Sequence, residues 1–255
     1  TENVTQLFLG VRFSCCKCHD HPFERWTQTQ YYQLGAFFAR VAVKGGEDGD
    51  ETVYVNPEGG EVKNPRDGQT AAPVVPAGYV PSGTPTISRR AMLAAWLTSP
   101  QNPFFARSMA NRLWSYFLGH GIIDPVDDIR ASNPPSNPEL LDALTDELVK
   151  SGFDLRHVMR TICRSRVYQL SLATNRWNVD DHLNFSHAEP RRLTAEELLD
   201  AISVATGAPQ KFEGMPLGFR AAQLPDSQVH SGGFLDLFGR PSRQTPCECE
   251  RSSQV

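Results

Sequence analysis

Cysteine is the residue to begin with, because three of the six in this 255-residue chain stand within four positions, in Cys15-Cys16-Lys17-Cys18-His19. Cys15, Cys18 and His19 make up Cys-x-x-Cys-His, the attachment signature of c-type haem. The spacing has a mechanical reason. Two thiols three positions apart can each reach one vinyl group on the same edge of a porphyrin and form a thioether. The next residue then lies under the ring and offers its imidazole to the iron. On this reading Cys15 and Cys18 bind a covalent haem c, and His19 is the axial ligand of its iron. The same residue types support other chemistry. Cys247-Glu248-Cys249 is a second close thiol pair, and Cys15, Cys18, Cys247 and Cys249 together can close a tetrahedral four-cysteine site for zinc or an iron–sulfur cluster. A disulfide between the two clusters is a third option in an oxidising compartment. Cys163 reads as a core thiol. Cys16 has no role in the haem motif, and an extra thiol there can mispair.

A second constellation is charged. Asp20, His21, Glu24 and Arg25 follow the Cys motif. Arg107, Asn111 and Arg112 are four and five residues apart along one predicted helix, and the loop 124–130 offers Asp124, Asp127, Asp128 and Arg130. Carboxylates so placed can act in acid–base chemistry or as oxygen ligands for a cation. The alternative is an Arg–carboxylate network that holds helical modules together. The network is preferred, because no Ser nucleophile elbow, phosphate loop or His-Glu-x-x-His accompanies the cluster. Its expected members are His21, Arg107, Arg112, Asp127, Asp128 and Arg130, with Arg107 and Arg112 meeting the two aspartates across a short return after Gly119. His21, only two residues past His19, cannot reach the opposite face of the same ring. The sixth iron position stays open among Met92, Met109, Met159, Met215, His120, His157, His182, His187 and His230.

The elements that must position these groups are legible from start and stop signals. Thr27 with Gln30 forms a capping box, and Tyr31, Leu34, Phe37, Phe38 and Val41 follow at helical spacing. Residues 44–86 hold eight Gly and six Pro and read as a loop-rich excursion with at most a small β-hairpin around residues 52–55. Ser88 opens a helix carrying Leu93 and Trp96, stopped by Ser99-Pro100. Asn102-Pro103 opens another, with Gly119 past its end, and Asn137-Pro138-Glu139 opens a third. Asp154 caps a fourth. Thr194 with Glu197 caps a fifth that ends at Gly207. The fold class is therefore mostly α: helical modules joined by long irregular loops. The expected division is a Cys-motif segment at 1–43, the excursion at 44–86 and a helical partner domain at 87–255.

Composition narrows the function classes. Hydrophobic residues make up 40% and charged residues 21% of the chain, enough apolar material for a sizeable core. A net charge of −4 and a pI of about 6.0 argue against nucleic acid as a partner. No apolar run approaches the roughly 20 residues of a transmembrane segment. The chain opens at Thr1 without a leader and reads as processed or cut from something longer.

Several long motifs carry a family resemblance. They are Phe8-Leu9-Gly10-Val11, then Cys-x-x-Cys-His-Asp-His-Pro-Phe-Glu-Arg-Trp-Thr-Gln ending at Gln28, and Tyr31-Tyr32 with Ala36-Phe37-Phe38. In the second half they are Ala95-Trp96-Leu97-Thr98-Ser99-Pro100, Asn102-Pro103-Phe104-Phe105-Ala106-Arg107, Asp124-Pro125-Val126-Asp127-Asp128 and Cys247-Glu248-Cys249-Glu250-Arg251. The chain resembles a planctomycete-type family of large exported proteins, called cytochrome-like for the Cys motif, that carry two adjacent domains of unknown function. It departs from that pattern at Cys16, where a small residue such as Ala is expected. The resemblance implies a periplasmic or extracellular location, where haem is attached to such motifs, and partners among other exported redox proteins or the rest of a longer chain. The leading function is a c-type cytochrome-like electron-transfer module. The alternatives are a structural or binding domain stapled by a four-cysteine metal site or disulfides, and a polysaccharide-related enzyme.

Overall fold

The computed structural model describes residues 1–45, 51–76, 88–225, 229 and 233–241. By internal packing the chain divides into two compact units, Thr1–Glu189 and Pro190–Val255.

The first unit opens with a helical turn, α1 (Glu2–Val4), which continues as a π-type turn over Thr5–Leu9. It is closed by Gly10 at φ +66°, whose carbonyl accepts from Ile129 N at 2.7 Å. A Cβ at Gly10 would lie 2.7 Å from Ile129 Cδ1, so the close approach requires glycine. A 3-10 turn follows over Ser14–Lys17 and then α2 (Gln28–Gly35), which starts on the Thr27/Gln30 capping box expected from the sequence. α2 is shorter than its apolar spacing suggests. After Gly35 the backbone tightens into turns, with Phe37 N on Leu34 O and Phe38 N on Gly35 O, because Phe37 is drawn into the core. Val41 consequently leaves the helical stripe and begins β1 (Val41–Gly45), which pairs antiparallel with β2 (Glu51–Val55), Val41 opposite Val55. The excursion then returns to the body. Gly60, at φ +88°, sits where a Cβ would fall 2.0 Å from Ala39 O, and Glu61 bridges Arg40 and Arg89.

The helices of the unit begin where their caps predict. Ser88 accepts from Ala91 N ahead of α3 (Arg89–Leu97), Asn137 from Leu140 N ahead of α5 (Pro138–Lys150), and Asp154 from His157 N ahead of α6 (Leu155–Arg164). α4 (Phe105–Leu118) starts later than Asn102-Pro103 suggests, but Asn102 Oδ1 still accepts from both Phe104 N and Phe105 N. Two cores result. One joins α4, α5 and α6 through residues such as Leu113, Trp114, Leu141 and Ile162. The other joins the Cys-bearing segment to α3: Leu9, Phe13, Cys16, Trp26, Leu34 and Phe37 pack with Leu93 and Trp96. The Cys-bearing segment thus shares its core with the helix that follows the excursion.

In the second unit, α7 (Ala195–Thr206) begins on the Thr194/Glu197 capping box and ends at Gly207 in the left-handed region. It packs Ala195 and Leu199 with Phe212, Ala221 and Leu235, the last from the short α8 (Phe234–Leu237). The molecule is mostly α, and the described residues hold one small two-stranded hairpin. No helix among the described residues is long and apolar enough to cross a membrane.

Candidate functional site

The Cys motif is built on a three-residue period. In a 3-10 helix side chains three apart eclipse one another, so Phe13 and Cys16 point inward together while Cys15 and Cys18 point outward together. The inward pair is an anchor. Phe13 meets Trp26 edge-on at 4.9 Å between ring centroids. Cys16, 0% exposed, gives its thiol to Trp26 O at 3.6 Å. Burial pushes the Cys16 thiol up to about 11, with the neighbouring Cys15 adding to the effect. The mispairing anticipated for Cys16 has no route in this arrangement, because the sulfur belongs to the core. The two motif thiols are exposed and free.

His19 and His21 differ in which nitrogen is left over. His19 Nδ1 lies 2.7 Å from Asp20 O. A carbonyl can only accept, so Nδ1 carries the proton and Nε2 presents a lone pair to solvent. His21 Nδ1 accepts from Phe23 N at 3.2 Å and Glu24 N at 3.0 Å, which places the proton of its neutral form on Nε2. His19 is thus the histidine with a nitrogen available for a metal, and its ring is oriented by the same kind of carbonyl contact that orients metal-binding histidines. His21 is a local cap and stands outside the charged cluster.

Four residues outside Cys-x-x-Cys-His hold this loop: Asp20, Gln28, Tyr32 and Arg66. Buried Gln28 donates its side-chain amide to Lys17 O at 3.2 Å and Cys18 O at 2.9 Å. Tyr32 donates its hydroxyl to Lys17 O at 3.0 Å. Asp20 accepts from Gln28 N, the first amide of α2, at 2.8 Å and from Arg66 at 3.1 Å. The α2 amide and then the guanidinium hold its carboxyl below the usual range. Together with Lys17, Cys18, His19 and Pro65, these residues line an open cleft of about 650 Å³. That volume lies within the roughly 300–1,000 Å³ range of small-molecule and cofactor sites.

The charged constellation assembles differently from the expected one. Asp127, 6% exposed, is paired with Gln6 and with Arg12 at 2.6 Å, both from the N-terminal segment. Asp128 pairs with Arg130 at 3.2 Å. Arg107 turns away to Asp142 on α5. Arg112 buries Nε and one Nη without a hydrogen-bond partner among the described residues. The expected meeting of Arg107 and Arg112 with Asp127 and Asp128 is therefore corrected. The close seat of Gly10 on Ile129 brings the N-terminal segment to the 124–130 loop first, and Arg12 takes the position assigned to an α4 arginine.

Other candidates are placed away from the cleft. His157 meets Glu147, His182 meets Glu189, and His120 stacks on Phe185 at 4.2 Å. Met92 packs against the core that holds Cys16, and Met109 and Met159 against the core of α4 to α6. In the second unit Met215 packs against its own core. Cys247, Cys249 and His230 lie outside the described residues. Among the described residues no three His, Cys, Asp or Glu side chains converge as a metal site.

Comparison with known proteins places the chain by family. The family model described as PSD1, protein of unknown function (DUF1553), matches residues 89–255. The model described as PSCyt2, protein of unknown function (DUF1549), matches residues 1–43. No curated protein and no solved structure matches the chain.

Proposed function

The chain belongs to the PSD1 family of proteins of unknown function, with a PSCyt2 segment ahead of it, and from that premise we propose that Cys15, Cys18 and His19 form a c-type haem attachment site serving electron transfer. The observation that supports this best is the sorting of the motif: Cys16 goes to the core, while Cys15 and Cys18 face out beside a histidine whose Nε2 is free. Three exposed donors in this order suit haem better than a closed structural zinc site, which needs four inward ligands.

When bound, haem supplies a one-electron iron couple. The chain's own residues do the rest. Cys15 and Cys18 would hold the group, each adding its S–H across one vinyl C=C bond as a thioether, a redox-neutral attachment that needs no oxidant. His19 would hold the iron through Nε2, its ring kept turned by the Nδ1–H bond to Asp20 O. Gln28 and Tyr32 keep the carbonyls of Lys17 and Cys18 occupied, so the turn carrying the thiols stays rigid. The partners we propose are exported redox proteins or further domains of the same longer polypeptide, in a periplasmic or extracellular setting.

A pyridine haemochrome assay on protein matured in a haem-attaching host tests this. A c-type spectrum at about one haem per chain is expected, shifted toward a single-thioether band in Cys15→Ala and unchanged in Cys16→Ala. Zinc or non-haem iron bound without a haemochrome would overturn it.

A further inference from the structure

α6 carries more positive charge than its fold uses. Arg156, Arg160 and Arg164 stand four residues apart along it. Steps of about 6 Å along the axis put the three side chains on one face, as a ladder about 12 Å long. That face lies opposite Val158 and Ile162, which are buried in the core shared with α4 and α5. All three arginines are exposed. None has an ion-pair or side-chain hydrogen-bond partner among the described residues.

The neighbouring elements do not supply the missing charge. α4 contains no Asp or Glu. On α5, Asp142 meets Arg107, Asp146 meets Lys150 and Glu147 meets His157. Asp154 accepts from His157 N as the cap of α6. Nor does the helix gain from the ladder. Arg156 stands in the first turn, where the helix dipole disfavours a cation, and arginines four apart repel one another. Charge that opposes local stability and lacks an internal partner marks a surface kept for another molecule.

We infer that the Arg156/Arg160/Arg164 face docks an acidic helix of a protein partner, with Asp or Glu at i, i+4 and i+8. Such a helix repeats the same axial step, so each guanidinium can take one carboxylate in a two-pronged contact. A long polyanion fits less well. The ladder is short, Asp154 stands at its head, and the chain as a whole has a net charge of −4, so nucleic acid or a sulfated glycan would run past it into negative potential. The inference is independent of the haem reading, since α6 and the Cys motif pack in separate cores.

Fluorescence anisotropy on the full chain tests it with two labelled Ala-based peptides of about 20 residues, long enough to be helical. One carries three Glu at i, i+4 and i+8, and the other carries three Glu spread around the helix. The striped peptide should bind at about 10 mM salt, about fivefold or more tighter than the dispersed one, and weaken about tenfold at 150 mM. Binding should fall in Arg160→Gln and vanish in the triple variant Arg156→Gln/Arg160→Gln/Arg164→Gln. Both variants should keep the wild-type circular dichroism and Tm, because the three side chains hold nothing within the described fold. No binding, equal binding of the two peptides, or a triple variant that binds as wild type would overturn the inference. Heparin or a single-stranded oligonucleotide binding more tightly than the striped peptide, and losing that binding in the triple variant, would also overturn it by giving the ladder to a polyanion.

Discussion

At the scale of single residues, the Cys triplet shows how local backbone geometry turns a composition into a site. The motif sets Cys16 apart from Cys15 and Cys18, but nothing in the spacing marks it as the inward one. The three-residue period of the turn, anchored by Phe13 against Trp26, sorts them. The sorting has a chemical consequence. A thiol reacts as its thiolate, so exposure and a low proton affinity both favour attack. Cys15 and Cys18 are exposed, whereas Cys16 is enclosed and pushed up to about 11. In the haem-free native chain, iodoacetamide should therefore label Cys15 and Cys18 and spare Cys16, which reacts only after denaturation. Peptide mapping that finds native Cys16 labelled as quickly as Cys15 would contradict the sorting. The two histidines differ in sequence only by their place after the Cys pair, which points to His19 as the ligand. Their hydrogen-bond partners, a carbonyl for His19 and two amides for His21, decide which keeps a free lone pair.

At the scale of elements, most helix starts were readable because a cap is a local device: Thr27, Ser88, Asn137, Asp154 and Thr194 each accept from the backbone amide three residues on. Long-range pairings were not readable, since charge type does not specify which arginine arrives. Asp127 illustrates the difference. Its partners Gln6 and Arg12 lie more than a hundred residues away and tie the N-terminal segment to the 124–130 loop. Hydrogen bonds to charged groups are worth about 1.5–3 kcal/mol each, and Asp127→Ala removes those from Gln6 and Arg12. A loss of about 2–3 kcal/mol is expected, or about 5–10 °C in Tm for a unit of this size. Asp128→Ala should cost less, because Arg130 is well exposed to solvent. The pH dependence follows from sign. Burial alone would raise the Asp127 carboxyl, but the hydrogen bonds from Gln6 and Arg12 and the guanidinium charge outweigh it and leave the group below its ordinary value. A group depressed on folding contributes fully above its unfolded value of about 3.9 and loses that contribution as pH falls through the folded value. The Tm gap between wild type and Asp127→Asn should be constant near neutrality and shrink below about pH 4. A gap that widens in acid would assign the ion pair the wrong role.

At the scale of the whole molecule, two partitions of the chain do not coincide. The two family matches are separated by residues 44–88, yet residues on both sides share one core, with Trp96 packed among Leu9, Phe13 and Trp26. The PSD1 match in turn spans the division at Glu189 and Pro190. Local signals located the helices and the Gly/Pro-rich excursion. They did not show the excursion returning Glu61 to Arg40 and Arg89, or Arg66 to Asp20, because those contacts depend on tertiary placement. The central claim is that one chain holds one haem through both motif thiols, and the placement of tryptic sites makes it directly testable. Trypsin cuts after Arg12, Lys17 and Arg25, which puts Cys15 on the peptide 13–17 and Cys18 on the peptide 18–25. In protein matured with haem-attaching machinery, mass spectrometry after full reduction should find these two peptides still joined, heavier than their sum by one haem. Recovery of the two peptides separately, each with an unmodified thiol, would contradict the account.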